Sequence, residues 1–245
     1  MDYILAGLKQ ALKLIFSTDS EFWGIVFLSL FVSISAVIIG MIVAIPIGTM
    51  LGLNKFKGEK VFARVIYTLM STPTILIGLL VCILLSRRGP LGHLKLLYTP
   101  IAIIIAQTIL VIPLIIGLTY DIVKTQGKEI KMLASTLGAN KLQTVVLIIK
   151  ELRYSLFINV VTAFSRAISE VGAVMMVGGN IKGQTRVMTT SISMFNSMGE
   201  YGMAIGLGLV LLIISLIINS IVYSYKNEGL EWYYECFSKG FKKIL

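Results

Sequence analysis

The chain alternates long apolar runs with short polar stretches, and this alternation predicts its helices. Each apolar run is at least as long as the roughly 20 residues that an α-helix needs to cross a bilayer. The runs cover about residues 22–53, 61–85, 100–120, 154–178 and 201–225, and the second is interrupted at Pro73. We therefore predict an all-α integral membrane protein with about five transmembrane helices, forming a single transmembrane domain over residues 1–245.

The two ends of the chain differ from the runs between them. Residues 1–16 place their apolar side chains on one side of a helix and Lys9 and Lys13 off it, which is typical of a helix at a membrane surface. We predict an interfacial helix within residues 1–20, and the pattern leaves open whether these residues lie on the membrane or cross it. Residues 226–245 follow the last run as a tail.

Residues 125–153 form a long polar interruption, and their periodicity predicts two short helices joined at Gly138. Asn140 followed by Gln143 has the pattern of an N-cap and its capping-box partner, while the glycine supplies a helix stop. The first helix repeats apolar residues at the spacing of one face: Ile130, Leu133, Ala134 and Leu137. A solvated connector is the alternative, but two amphipathic helices at a hinge are more than a connector requires.

Composition and charge narrow the class of protein. Hydrophobic residues make up 56% of the chain and charged residues 14%, whereas soluble domains carry about 25% charged residues. The formal net charge of +10 is concentrated in the gaps between apolar runs, where basic residues set membrane orientation, so it does not indicate nucleic-acid binding. Lysine and arginine counts predict a cytoplasmic central stretch, a cytoplasmic C-terminal tail and an N-terminus on the outer side.

The fourth apolar run contains two charged residues, Arg166 and Glu170, near its middle. A charge at the centre of a spanning helix costs about 2.5–3.5 kcal/mol on insertion scales, so both should face the protein interior or a water-filled cavity. One interpretation is a mutual ion pair at i, i+4 that only stabilises the bundle. The functional interpretation is that the two residues line or gate a polar pathway.

The polar stretch after the fourth run resembles a phosphate-binding loop in spacing only. Gly178 and Gly183 have the required separation, but Gln184 stands where a lysine is needed and the segment follows a predicted helix instead of a strand. We therefore exclude nucleotide binding there. Four donors in the stretch could instead meet an anion near the outer mouth, with an ordinary polar loop as the alternative: Asn180, Lys182, Thr185 and Arg186.

The sequence offers no arrangement typical of catalysis or of metal binding. His93 is the single histidine, and Cys82 and Cys236 do not suggest a disulfide framework or a thiolate metal site. Energy for any active process must therefore come from a source outside this chain.

The central stretch resembles the cytoplasmic signature of ABC importer permeases, E-A-A-x3-G-x9-I-x-L-P. Ala134, Gly138 and Ile148 match this signature. The chain departs from it at the leading glutamate, the first alanine and the final Leu-Pro, which are replaced by Met132, Leu133 and Lys150-Glu151. The segment SRAISEVGAVMMVGGNIKGQTR is similar to a segment of permeases for the tetrahedral oxyanions tungstate, molybdate and sulfate. Its amino-acid sequence most resembles that of the tungstate permeases. The resemblance extends from Glu21 to Tyr225.

The resemblance implies the MetI-like fold of a type I ABC importer permease with a cytoplasmic coupling helix. It implies a homodimer around the translocation path, two cytoplasmic ATPase subunits that bind ATP and Mg²⁺, an extracytoplasmic oxyanion-binding protein, and no cofactor on this chain. It also implies that the chain is a multi-pass protein of the cell (inner) membrane of a bacterium or archaeon. The implied coupling residues are Met132, Leu133, Ala134, Ser135, Leu137, Gly138 and Ala139, and the implied path or gate residues are Arg166, Glu170, Asn180, Thr185 and Arg186. A molybdate or sulfate permease, or a self-sufficient secondary anion transporter, is the alternative.

Overall fold

The computed structural model of the chain describes the backbone of residues 2–17 and 19–241 and the side chains of residues 7–17 and 19–224. Within these residues the fold is helical, with a short 3-10 helix at Gly92–Leu94 between the fourth and fifth α-helices. The α-helices are α1 Asp2–Phe16, α2 Ser20–Leu53, α3 Glu59–Met70, α4 Thr74–Leu85, α5 Pro100–Thr136, α6 Lys141–Glu151, α7 Arg153–Ile168, α8 Gly172–Gly178, α9 Met188–Ser197 and α10 Tyr201–Phe241.

All five predicted apolar runs form helices, but two of them are bent. Among the described residues, three helices are long and apolar enough to cross a membrane, namely α2, α5 and residues Tyr201–Ser224 of α10. The second run is broken into α3 and α4, which meet at 90°, and the fourth into α7 and α8, which meet at 59°. The described part of the chain therefore has up to five spans, if each bent pair crosses once. Proline explains the first bend, because Pro73 cannot continue α3 and instead precedes α4.

The centre of the bundle is the packing of α2 along α5, the most extensive contact among the described helices. A Cβ atom built on Gly48 would lie 2.8 Å from Thr119 Cβ, and one built on Gly52 would lie 2.9 Å from Val123 Cβ. These two glycines, which have G-x-x-x-G spacing, therefore allow the two backbones to approach closely.

The N-terminal helix α1 packs against the first half of α10. Ala11 is fully buried, and a Cβ atom built on Gly206 would lie 3.5 Å from Ala11 Cα. The opposite side of α1 exposes Leu12 and Phe16. The helix predicted for residues 1–16 is thus confirmed from Asp2 onward, while its position at the membrane surface stays a prediction.

The third apolar run continues far beyond its predicted end. The helix α5 has Thr99 as its N-cap and Pro100 in its first turn, and it runs for 37 residues to Thr136. At 1.5 Å per residue this is about 55 Å, well beyond the roughly 30 Å of a bilayer's hydrocarbon core. The prediction of a separate short helix before Gly138 is therefore wrong, because Pro113 lies inside α5 without ending it and no further proline occurs before Gly138. The short helix α9 also lies where we expected only a polar stretch.

Candidate functional sites

The C-terminal end of α5 is closed by a turn at residues 137–140, here called the α5–α6 turn. Gly138 has φ = 74°, a left-handed conformation that favours glycine. The N–H of Ala139 donates to the Ala134 carbonyl at 3.0 Å, and the N–H of Gly138 donates to the Ser135 carbonyl at 3.1 Å. These bonds satisfy carbonyls that the end of a helix otherwise leaves unpaired. The glycine stop predicted from the sequence is therefore confirmed.

The next helix begins with the predicted capping box. The Asn140 side chain accepts from the Gln143 N–H at 2.9 Å, and the Gln143 side chain accepts from the Asn140 N–H at 2.8 Å. Thr144 and Ile148 then turn one side of α6 inward, where Ile148 packs in a cluster with Val123 of α5. The turn thus reverses the chain and lays α6 back against α5.

Large apolar side chains surround this turn without covering one another. Leu137 is 78% exposed, whereas Ala134 is fully buried, so the apolar face predicted for this segment is divided between the interior and the surface. Ser135 is exposed and its hydroxyl donates to the Lys131 carbonyl at 2.8 Å. We call the exposed apolar set the apolar tip, and it consists of Met132, Leu133, Leu137, Leu142 and Val146.

Polar contacts tie this end of α5 to the ends of α2 and α3. Lys131 Nζ donates to the Leu53 carbonyl at the end of α2, at 2.9 Å. Lys124 forms a 2.7 Å ion pair with Glu59 at the start of α3, and the Tyr120 hydroxyl donates to the same carboxylate at 2.8 Å. The part of α5 that leads to the apolar tip is therefore bonded directly to both α2 and α3.

The break between α7 and α8, at residues 169–171, is held by side chains from other helices. Gln107 Nε2 on α5 donates to the Ala167 carbonyl at 3.0 Å, and Thr189 Oγ1 on α9 donates to the Glu170 carbonyl at 2.8 Å. Glu170 is itself 7% exposed, and its Oε1 accepts from the Ala173 N–H at 3.1 Å. Backbone groups freed by the bend thus find partners, as an apolar environment requires.

The two charges of the fourth run do not pair with each other. Glu170 is turned inward onto the first turn of α8, while Arg166 is exposed. Within the residues whose side chains are described, the Arg166 guanidinium makes no hydrogen bond or ion pair. The interpretation as a mutual i, i+4 ion pair is therefore wrong for this structure.

The polar loop at residues 179–187 is closed by its own side chains. Thr185 is fully buried, and its hydroxyl accepts from the Ile181 N–H at 3.0 Å and donates to the Gly178 carbonyl at 2.5 Å. Asn180 has φ = 52°, and its Oδ1 accepts from the Thr190 hydroxyl at 2.9 Å. The Thr185 side chain thus bonds to the backbone of this region, while the Asn180 side chain joins the loop to α9, and together they fix the shape of the loop.

Arg186 is bound to a residue that sequence reasoning did not single out as functional. Its Nη1 lies 3.1 Å from Glu21 Oε1 at the start of α2, and Lys182 Nζ lies 2.5 Å from the other oxygen of the same carboxylate. Nothing in the local sequence connects these residues, because Glu21 and Arg186 are 165 positions apart. Gln107 was also missed, although a buried amide inside an apolar run is a signal that the sequence contains.

No group of three or more His, Cys, Asp or Glu residues that could hold a metal ion occurs among the described residues. Together, the spanning helices, the polar break inside one span and the apolar tip outside the spans define a multi-pass membrane protein of the transport class.

Comparison with known proteins identifies the family. Residues 44–226 match the family described as binding-protein-dependent transport system inner membrane component. The chain belongs to this family, which confirms the ABC importer permease resemblance found in the sequence. It is 58% identical to the tungstate uptake system permease protein TupB of Peptoclostridium acidaminophilum over 93% of this chain and 100% of that protein. It is 36% identical to the protein of the same name from Campylobacter jejuni, over 93% of this chain and 95% of that protein.

A third relative has a less specific name. The chain is 36% identical to a probable anion ABC transporter permease protein of Haloferax volcanii, over 82% of this chain and 88% of that protein. Of these three relatives, the two that are named for a substrate are both tungstate permeases.

Proposed function

We propose that this chain is the permease subunit of an ATP-driven importer for tungstate. The observation that carries the proposal is the 58% identity to a tungstate permease over the full length of that relative. Sulfate is the alternative substrate that a relative supports. The chain is also 29% identical to the sulfate transport system permease protein CysT of Salmonella typhimurium, over 60% of this chain and 55% of that protein. Molybdate belongs to the same class of dianion and must be tested beside them.

Two copies of the chain would form the path, with an ATPase subunit under each copy and an extracytoplasmic binding protein above. The apolar tip supports the ATPase contact, because exposed apolar groups beyond the membrane indicate a protein partner. Met132, Leu133 and Leu137 would enter the ATPase, while Ala134, Ser135, Gly138 and Ala139 fix the geometry of the turn. ATP and Mg²⁺ would bind to the ATPase subunits. The distribution of basic residues supports a cytoplasmic location for this turn and an outer location for the N-terminus.

The polar residues around the fourth span would have two kinds of role. Arg166 would line the path, because its guanidinium is exposed inside an apolar run and has no partner among the described residues. Glu170, Asn180 and Thr185 would hold the α7–α8 break and the following loop in shape, as their hydrogen bonds indicate. Arg186 would join that loop to α2 through Glu21.

Reconstitution tests this proposal directly. Proteoliposomes containing the chain, its cognate ATPase and the binding protein should accumulate tungsten, measured by mass spectrometry, only when ATP is present on the ATPase side. Competition with molybdate and sulfate then ranks the three anions. Uptake by the chain alone, driven by an ion gradient, would instead establish a secondary transporter and overturn the proposal.

The coupling role has its own test in Gly138→Pro. Proline fixes φ near −65°, whereas residue 138 has φ = 74°, so the turn cannot keep its shape. We expect the variant to lose ATPase binding and ATP-driven uptake. Gly183→Pro serves as a control outside the turn, since residue 183 has φ = 72° but lies in the loop after α8. Unchanged ATPase binding by Gly138→Pro would contradict the coupling assignment.

A further inference from the structure

A line of polar residues follows α7 through the apolar part of the chain. Its members are separated by four, three, four and three positions, the spacing that places residues on one side of a helix. The line spans 14 steps, or about 21 Å at 1.5 Å per residue. We call it the α7 polar stripe, and it consists of Ser155, Asn159, Thr162, Arg166 and Ser169.

The stripe is accessible in the single chain over its second half. Thr162, Arg166 and Ser169 are exposed, Ser155 is partly buried and Asn159 is buried. Nearby apolar surface on the same molecule, such as Ile38 and Ile42 of α2, is exposed in the manner of a lipid-facing helix. A row that includes a guanidinium is unsuited to lipid, because a charge at bilayer depth needs water or a polar partner.

Two members of the stripe hold hydrogen-bond donors without acceptors. Asn159 is 9% exposed, and its Nδ2 has no partner among the described residues. The guanidinium of Arg166 is likewise unpaired within that part of the chain. Leaving a buried donor unsatisfied costs about 1–3 kcal/mol, so an amide in this position favours an oxygen-rich occupant such as water or an oxyanion.

The acidic residue closest to the stripe in sequence is withdrawn from it. Glu170 follows Ser169 directly, yet it is buried and its Oε1 is bonded to the Ala173 N–H. From Tyr154 to Ser169 the chain contains no aspartate or glutamate. The Thr162 and Ser169 hydroxyls donate to carbonyls of α7. The free donors of the stripe are therefore the Asn159 amide and the Arg166 guanidinium, and such donors favour an anion over a cation.

We infer that the α7 polar stripe is the anion track of the translocation path, with Asn159 and Arg166 as its donor stations. Two copies of the chain would bring two Arg166 guanidinium groups to one path, and their joint charge of 2+ matches a single tetrahedral dianion. The inference rests on the proposed function for the second copy and for the anion. It adds the helix face and the donor groups that the anion meets.

Cysteine accessibility tests whether the stripe faces water. In a variant whose native Cys82 and Cys236 are replaced by alanine, Thr162→Cys and Ser169→Cys should react with a charged, membrane-impermeant thiosulfonate in the assembled transporter. Ile42→Cys is the matched control, because Ile42 is also exposed in the single chain but lies on an apolar surface. Equal, slow reaction at all three positions would overturn the assignment of the stripe to a water-filled path.

Tungstate protection then tests the ligand. Bound tungstate should slow modification of Thr162→Cys and Ser169→Cys, while chloride at matched ionic strength should not. Protection by molybdate or sulfate in preference to tungstate would support the track and overturn the proposed substrate. Absence of protection by all three dianions would overturn the track.

Uptake measurements test the donor stations. Arg166→Gln should lower ATP-driven tungstate uptake by about tenfold or more, as expected for loss of a charge-assisted hydrogen bond. Arg166→Lys should recover part of this loss because the charge remains, and Asn159→Leu should cause a smaller decrease. ATPase binding should persist in these variants, since the apolar tip is unchanged.

The outcomes separate this inference from the proposed function. Unchanged uptake by Arg166→Gln in a wild-type system that is active would overturn the track alone. Loss of ATPase binding together with uptake in Arg166→Gln would indicate a structural role and would also overturn it. An inactive wild-type system would contradict the proposed function, while cysteine reactivity would still decide whether the stripe faces water.

Discussion

Two helix interruptions in this protein, the α5–α6 turn and the α7–α8 break, are stabilised in different ways. At the α5–α6 turn, Gly138 adopts a left-handed conformation and the surrounding space is open, so a Cβ atom added there would meet nothing within 4 Å. At the α7–α8 break, the freed backbone groups are bonded to Gln107 and Thr189 from other helices. The first interruption is built by neighbouring residues and the second by tertiary contacts.

The surroundings explain this difference. The α5–α6 turn lies beyond the apolar part of α5, where water can satisfy any backbone group that the turn leaves unpaired. The α7–α8 break lies inside an apolar run, where unpaired backbone groups are costly and partners must come from the protein. An interruption in water can remain open for a partner protein, whereas one at membrane depth must be held by its own chain.

Packing of α8 against α4 should give the largest effect on stability. A Cβ atom on Gly78 would lie 2.6 Å from Ala173 Cα, which is a clash with backbone. Gly78→Ala should therefore lower the free energy of unfolding by about 1–3 kcal/mol, measured by titration with dodecyl sulfate in detergent micelles. The control is Gly24→Ala in α2, where a Cβ atom meets nothing within 4 Å, and it should leave stability unchanged or raise it by up to about 1 kcal/mol. Equal midpoints for the two variants would contradict this packing.

The carboxylate at the break should give the next largest effect. Glu170→Val removes the acceptor of the Ala173 N–H and should cost about 1–2 kcal/mol, as for loss of a helix cap. Glu170→Gln keeps an oxygen acceptor and should recover most of the stability in the same titration. Equal destabilisation by valine and glutamine would show that the carboxylate group, and not the cap, is what the fold requires.

The sequence predicts the first interruption far better than the second. Gly138, Asn140 and Gln143 act within one turn of the chain, so local spacing is enough to predict the stop and the capping box. The bend after Ile168 depends on residues 60 and 19 positions away, and no local pattern contains that information. The length of α5 was also missed, because the drop in hydropathy after Tyr120 marks the end of a membrane segment and not the end of a helix.

The surroundings of the predicted site residues also depend on tertiary contacts that local sequence does not show. Exposure of Leu137 and burial of Ala134 follow from how α6 folds back on α5, which periodicity alone could not show. The contact of Arg186 with Glu21 joins opposite parts of the sequence. The sequence therefore allowed the polar candidate residues to be selected, but it did not allow their bonding partners to be predicted.

The capping box should give a smaller effect than the break. Asn140→Ala removes the acceptor of the Gln143 N–H at an exposed helix start and should cost about 1 kcal/mol. Asn140→Asp retains an acceptor at this position and should cost less. Both values can be read from the same unfolding titration. If Asn140→Ala lowered the free energy of unfolding as much as Gly78→Ala, the α5–α6 turn would depend on tertiary contacts as the α7–α8 break does. The contrast between the two interruptions would then not hold.

The apolar tip should give the smallest effect on stability and a large effect on assembly. Leu137 is 78% exposed, so Leu137→Ser should change the free energy of unfolding by less than about 0.5 kcal/mol, as for other surface substitutions. Retention of the ATPase during affinity purification should nevertheless fall by about tenfold, the loss expected for an apolar anchor in an interface. Leu137→Met keeps the apolar surface and should retain the ATPase. If serine leaves assembly intact, the tip is surface that the ATPase does not touch, and the open turn at Gly138 serves only to reverse the chain.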